Sequence, residues 1–281
     1  MNRRHHQLPG LMMAALLLLM SFSPAFSEGN TPLFSASVID LQCRPLDESP
    51  NAVVPRYGLM KGITEVKEPV LELRRTTVSP SRGTILLFPG GGYRALAFEH
   101  EGDLVARFLN SRGYDVAILE YSIGEGSDVR ARALADAKAA VRLLADSSAK
   151  LGLNPNLSVM GFSAGGHLAA RLLHELGPKA PLSRIILIYP AYLEDSPEGK
   201  GIHAGVTPPA GFAGKAFVLI GGQDHPEWVG SAGAYAEAFR KDCGPAEFHL
   251  LPGTGHGFGM KPGLTGPAAT WPDHLGEFLG H

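Results

Sequence analysis

From residue 84 onward, short apolar runs alternate with longer stretches whose apolar positions recur at helical spacing. The runs are 84–88, 116–120, 157–160, 184–189, 216–220 and 247–251. Most are apolar at consecutive positions rather than at every second one, with 247–251 the exception. That is the pattern of strands buried on both faces of a parallel sheet. The stretches between them, 100–112, 127–151, 165–176 and 231–242, read as helices, and a last helix falls at 268–279. Within 131–144, Ala and Leu gather on one face with Arg and Lys on the other, as on a helix half-covered by a core. This alternation predicts an α/β fold with a mostly parallel central sheet and helices on both faces.

Upstream the pattern weakens. Residues 70–75 alternate only loosely and suggest an edge strand. Residues 28–67 are polar and Pro-rich and read as an extended N-terminal arm with room for one strand. Before them, Arg3 and Arg4 precede a ten-residue apolar run at 11–20, and Ala25-Phe26-Ser27 supplies small residues at a cleavage position. Residues 1–27 are therefore expected to be a signal peptide, the alternative being an uncleaved anchor. No later apolar run is long enough to cross a bilayer. The expected organisation is a signal peptide at 1–27, an arm at 28–67 and one α/β domain at 68–281. The expected location is outside the cytoplasm, either periplasmic or extracellular.

Composition narrows the function classes. The 281 residues are 44% hydrophobic and 19% charged, which excludes wholesale disorder. With 25 basic against 27 acidic side chains and no basic run, nucleic acid is not an expected partner. Cys43 and Cys243 would be free to pair in an oxidising compartment, but their spacing neither requires nor forbids it. Neither has a CxxC or CxxH neighbour, so no cysteine zinc site is expected.

In open α/β sheets chemistry gathers at the carboxyl ends of strands. After the run at 157–160 comes Gly161-Phe162-Ser163-Ala164-Gly165-Gly166, and then a helix. A G-x-S-x-G turn between strand and helix is the setting of a nucleophile elbow. After 84–88 comes Pro89-Gly90-Gly91-Gly92-Tyr93. Glycines leave backbone N–H groups uncovered, the donors an oxyanion needs. The amide of Ala164, just after the serine, is the expected second donor. A phosphate loop is excluded, since no Lys-Ser/Thr follows and G-x-G-x-x-G spacing is absent. After 216–220 comes Asp224, and after 247–251 comes His256. The order Ser163, Asp224, His256 is that of α/β-hydrolases, each residue following its own strand.

Other residues compete for these roles. Asp195 and Glu194 follow the run at 184–189 and are rival acids. His167 lies four residues after Ser163 inside a helix, where packing or local bonding is its expected role. His225 beside Asp224 has a metal-ligand look, but one Asp-His pair is thin support, and no metal or other cofactor is implied. Tyr93 and Trp228 are the candidate substrate contacts, Trp228 as a face for a sugar ring or as packing.

The segments PGGGYRALAFEHEG at 89–102, FLNSRGYDVAILEY at 108–121, MGFSAGGHLAA at 160–170 and GHGFGM at 255–260 resemble a known group. They are similar to the PGGGY-type exported carbohydrate esterases of the α/β-hydrolase superfamily, which include acetyl xylan and acetyl/feruloyl esterases. The resemblance spans residues 68–280. It implies an α/β-hydrolase fold with a minimal cap, a triad of Ser163, Asp224 and His256, and an oxyanion hole framed by Gly91, Gly92 and Ala164. Two loops depart from the group. Ser122-Ile123-Gly124-Glu125-Gly126 follows Tyr121 in place of a basic residue and a longer loop, and His225-Pro226-Glu227-Trp228 replaces a Val-Pro after Asp224.

The expected activity is hydrolysis of short acyl esters, acetyl first, on a small-molecule or oligosaccharide alcohol. The 26-residue Gly/Pro-rich segment between the runs at 184–189 and 216–220 is too short for a large lid, which disfavours an interfacial lipase. A xylanase needs a positioned carboxylate pair, and none stands out. A peptidase of the prolyl oligopeptidase type and a non-catalytic ligand-binding α/β-hydrolase are the alternative readings.

Overall fold

Burial on both sides explains why the apolar runs do not alternate. In the computed structural model, which describes residues 42–44, 50–57 and 60–280, ten strands form. They are β1 (Gln42–Arg44), β2 (Val53–Tyr57), β3 (Met60–Ile63), β4 (Val70–Arg74), β5 (Gly83–Phe88), β6 (Tyr114–Glu120), β7 (Leu157–Phe162), β8 (Arg184–Ile188), β9 (Lys215–Gly221) and β10 (Ala246–Leu251). Every residue of β5, β6 and β7 is buried. The helices are α1 (Leu104–Ser111), α2 (Val129–Leu151), α3 (Ala164–Leu176), α4 (Pro226–Asp242) and α5 (Trp271–Gly280).

Eight strands make one sheet in the order β1-β4-β6-β5-β7-β8-β9-β10. From β6 to β10 every pairing is parallel, and only β4 against β6 is antiparallel. The strand order reverses around β5, so the loops after β5 and β7 open at one end of the sheet, where ligands of such sheets bind. Helix α3 packs on β7 and β8, α4 on β9 and β10, and α1 on β6. The indole N–H of Trp271 in α5 donates to the Gly259 carbonyl at 2.8 Å, which pins the loop after β10 to the body. The expected mostly parallel sheet with helices around it is the observed architecture.

Several expectations need correction. Strand β4 is not an edge, because β1 pairs along its outer side and Val70, Leu71 and Glu72 are buried. Among the described residues of the arm there are three strands, not one, and β2 and β3 form a hairpin. Ile63 of that hairpin exchanges backbone hydrogen bonds with Leu96 at 2.9 and 2.8 Å. Helix α4 starts at Pro226 rather than at 231. Proline suits the first helical turn, whereas Gly230 and Gly233 hide the helix from a propensity reading. Before α1, residues Glu99–Asp103 form a π-helical turn.

The segment after β8 carries one short 3-10 turn, Ala204–Val206, and a bridge between Glu194 and Ile202, with no α-helix before β9. No helix among the described residues is long and apolar enough to cross a membrane. The expected signal peptide at 1–27 lies outside the described residues, as does the side chain of Cys43. Cys243 is a free thiol that donates to the Pro209 carbonyl at 3.2 Å.

Candidate active site

Strand β7 ends in a turn whose backbone only its own sequence fits. Ser163 sits at φ 50° and ψ −118°, a region that side chains rarely occupy outside functional turns. A Cβ at position 161 would overlap the Gly165 carbonyl, and one at 165 would overlap the Phe88 carbonyl. Glycine two residues before and two after the serine is thus a steric requirement. The Ser163 amide donates to Ile188 at 3.0 Å, and its carbonyl accepts from His167 and Ala191 at 3.1 and 3.2 Å. These bonds lock the turn against β8.

Two further strand ends bring their side chains to this turn. Ser163 Oγ lies 2.8 Å from His256 Nε2, and His256 Nδ1 lies 2.7 Å from Asp224 Oδ2. The other Asp224 oxygen accepts from the His225 amide at 2.8 Å. With the carboxylate ionised, Nδ1 carries the proton and Nε2 is left to accept from the serine hydroxyl. The loops after β9 and β10 are tied together by Gly222 N–H to Leu251 at 2.7 Å and Gln223 N–H to Thr254 at 2.8 Å. Of the rival acids, Asp195 packs its carboxylate on Gly201 and Glu194 pairs through its backbone with Ile202, while the His256 Nδ1 bond goes to Asp224.

The glycine run after β5 passes directly beside Ser163. A Cβ at Gly90 would lie 2.8 Å from the Ser163 Cβ, so only glycine permits the approach. Gly91 and Gly92 take φ 127° and 67°, which other residues resist. The Gly91 carbonyl accepts from Arg94 and Ala95, both at 3.1 Å, while among the described residues the Gly91 and Gly92 amides have no backbone acceptor. The Ala164 amide, at the first position of α3, belongs to the donors that a helix leaves unpaired. The arrangement leaves N–H groups available on both sides of the serine.

Sequence reasoning missed what holds this loop. Glu101, in the π-helical turn, is 3% exposed. Its Oε2 accepts the Gly90 amide at 2.7 Å and its Oε1 accepts the Tyr189 hydroxyl at 2.9 Å. Burial pushes its carboxyl up from the ordinary range against these two bonds. Tyr121 donates to the Pro89 carbonyl at 2.6 Å. The signal available was the buried acid itself, the second Glu of FEHEG between apolar segments.

Tyr93, a candidate substrate contact, is 2% exposed and its hydroxyl bonds to His167 Nδ1 at 2.7 Å. That leaves it to anchor the glycine loop from below rather than to offer its hydroxyl to a ligand. His167 is buried, and desolvation holds its pKa well below the ordinary range, so the neutral ring can accept the Tyr93 proton. Trp228 is half-buried, with its ring 4.8 Å from His256, 5.7 Å from Tyr192 and 4.2 Å from His225. It walls the site against the imidazole. Among the described residues no three His, Cys, Asp or Glu side chains are grouped to hold a metal ion.

Comparison with known proteins agrees with this architecture. Residues 76–175 match the model of the BD-FAE family. An acetylxylan esterase of Xylanibacter ruminicola is 37% identical over 93 residues, covering 33% of this chain and 19% of that protein. An endo-1,4-beta-xylanase B of Butyrivibrio fibrisolvens is 34% identical over 94 residues, covering 32% of this chain and 15% of that protein. The chain thus spans less than a fifth of the length of either curated relative. Among solved structures, an acetyl ester-xyloside bifunctional hydrolase from Caldicellulosiruptor lactoaceticus superposes with TM-score 0.61 at 27% identity, covering 76% of this chain and 88% of that one. The fold is that of the α/β-hydrolases.

Proposed function

We propose that this α/β-hydrolase is a serine esterase that removes short acyl groups, acetyl first, from carbohydrates through an acyl-enzyme on Ser163. One observation carries the reading. An unbroken hydrogen-bonded series, Asp224 to His256 to Ser163, ends on a serine in a strained strand-to-helix turn. In this reading His256 takes the Ser163 proton as Oγ attacks the ester carbonyl. The Asp224 carboxylate holds the imidazole's tautomer and stabilises its cation. The amides of Gly91, Gly92 and Ala164 receive the oxyanion, where each donor is worth about 10²–10³ in rate. As the tetrahedral intermediate collapses and its bond to the sugar oxygen breaks, the protonated His256 gives its proton to that oxygen, which leaves as the hydroxyl. Water repeats the sequence on the acyl-enzyme and frees the carboxylic acid.

The size of the acyl group follows from what covers the site. With one short 3-10 turn between β8 and β9, the described residues provide no apolar lid to bury a long chain. The cavity beside His256 is about 300 Å³ and is lined by Gln223, Asp224, His225 and Pro226. These polar or short side chains border the imidazole on the Asp224 side and offer little apolar surface to a long acyl chain. The named esterase relatives support the same class. The N-terminal pattern at 1–27 supports export. The test is acetate release from acetylated xylo-oligosaccharides by the wild-type chain and by Ser163→Ala. Serine-dependent acetate release is the expected result, and its absence together with turnover of a peptide substrate would overturn the reading.

A further inference from the structure

Next to the oxyanion loop lies a second cavity, of about 670 Å³, whose lining includes Gly92, Arg94, Glu125, Arg130 and Tyr192. It begins at Gly92, one of the two glycines read above as oxyanion donors. A Cβ on Gly92 would lie 3.7 Å from the Tyr192 hydroxyl, so that phenol stands between cavity and loop. Tyr192 also touches Trp228, which touches His256. The cavity is therefore continuous with the reaction site along one aromatic wall.

Its charge is unusual for a site handling a neutral ester. Arg94 and Arg130 are both exposed to it, and among the described residues neither forms an ion pair. The Arg130 guanidinium lies 4.6 Å from the centre of the Tyr192 ring and 5.6 Å from that of Tyr93. Contact with two rings restrains the guanidinium at the cavity, where among the described residues it makes no ion pair. A restrained, unpaired guanidinium fork matches a carboxylate in two parallel hydrogen bonds. Glu125 also lines the cavity and pairs with neither arginine; a lone carboxylate there accepts sugar hydroxyls. The volume far exceeds an acetyl group and falls in the range of a sugar-sized ligand.

We propose that this cavity binds a carboxylated sugar on the alcohol side of the ester, so that the preferred substrate is an acetylated oligosaccharide carrying a uronic acid next to the acetylated unit. The inference rests on the esterase reading of Ser163. Arg130 supplies the guanidinium fork, Arg94 adds charge, and Glu125 with Tyr192 takes hydroxyl groups.

The test compares kcat/KM of the full chain on three substrates: a neutral acetylated xylo-oligosaccharide, the same molecule with a glucuronic acid branch, and that branch as its methyl ester. The acidic substrate is expected to be favoured roughly 10- to 100-fold, mostly through KM, as charge-assisted bonds of this kind allow. Methyl esterification and added salt should each erase most of that preference. In Arg94→Gln/Arg130→Gln the ratio of acidic to neutral kcat/KM should fall toward one, a ratio that holds whatever the variant's yield of folded protein. Equal constants for the acidic and neutral substrates in the wild type, or a preference that survives in the double variant, would overturn the proposal. So would a preference confined to p-nitrophenyl hemisuccinate over the acetate, which would put the charge on the acyl side. Failure of the esterase reading itself shows separately, as absence of Ser163-dependent hydrolysis of p-nitrophenyl acetate.

Discussion

The Tyr189 hydroxyl donates to Glu101 at 2.9 Å while accepting the Gly259 amide at the same distance. Through the other carboxylate oxygen Glu101 holds Gly90. One buried acid and one phenol therefore join the loop after β5 to the loop after β10. The Tyr189 ring also lies 5.0 Å from the ring of His256. The glycine loop and the imidazole are positioned by the same pair, although neither member faces substrate. The π-helical turn makes this geometry possible, since it turns both His100 and Glu101 inward.

Tyr189→Phe removes the bridge and keeps the ring. It strands the Gly259 amide and one carboxylate oxygen in the interior, at a cost of about 1–3 kcal/mol for each buried group. Thermal denaturation should show a lower midpoint, and steady-state kinetics should show kcat lowered about tenfold or more with KM little changed. An unchanged midpoint and unchanged kcat would mean that the bridge positions nothing.

Asp224→Asn should leave the serine and imidazole in place but cost on the order of 10⁴ in kcat, because the amide favours the wrong tautomer. Asp195→Asn, at a carboxylate packed against Gly201, should change kcat less than twofold. Exchange of these two results in side-by-side kinetics would move the acid role to Asp195.

His100 gives a pH signature of stability. Burial at 2% exposure lowers its pKa from 6.5 to about 4, with the Lys261 charge adding to the effect. The unfolded chain thus binds a proton between these values that the folded chain refuses. The contribution is complete above about 6.5 and is lost as pH falls toward 4. Urea unfolding at pH 7.5 and pH 4.5 should show a larger drop for the wild type than for His100→Gln, by on the order of 1–3 kcal/mol. Equal drops would mean that the buried ring is not the group responsible.

Acyl chain length reads the open site. Without a lid, added methylenes stay wet and gain little of the ~0.8 kcal/mol that full burial of each would give. Specificity constants for p-nitrophenyl esters should fall from acetyl to butyryl and become negligible at palmitoyl. A palmitoyl preference would refute the short-acyl reading and leave the serine chemistry standing.

The central strands were legible because they are buried on both faces, so composition alone marks them, whereas β10 is only partly buried. The residues Ser163, Asp224 and His256 were legible because each comes after its own strand, and they are found hydrogen-bonded in series. Strand β1 was not legible, since three residues at a sheet margin carry too little pattern to register. Nor was the start of α4, where two glycines mask a helix that Pro226 opens. The roles of Tyr189 and His167, and half of that of Glu101, come from contacts between residues 70 or more positions apart. No local pattern encodes such contacts. Tyr93 shows the limit most plainly: beside three glycines it reads as a substrate contact, yet its hydroxyl folds under them onto His167.

The central claim is that Ser163 is the nucleophile, and Ser163→Ala tests it most directly. The substitution removes one oxygen from a turn held by backbone bonds to Ile188, His167 and Ala191, so circular dichroism and the denaturation midpoint should match the wild type. Turnover of p-nitrophenyl acetate should fall roughly a million-fold, the scale at which serine hydrolases lose rate with their nucleophile. A folded Ser163→Ala protein that retains turnover within tenfold of the wild type would contradict the account.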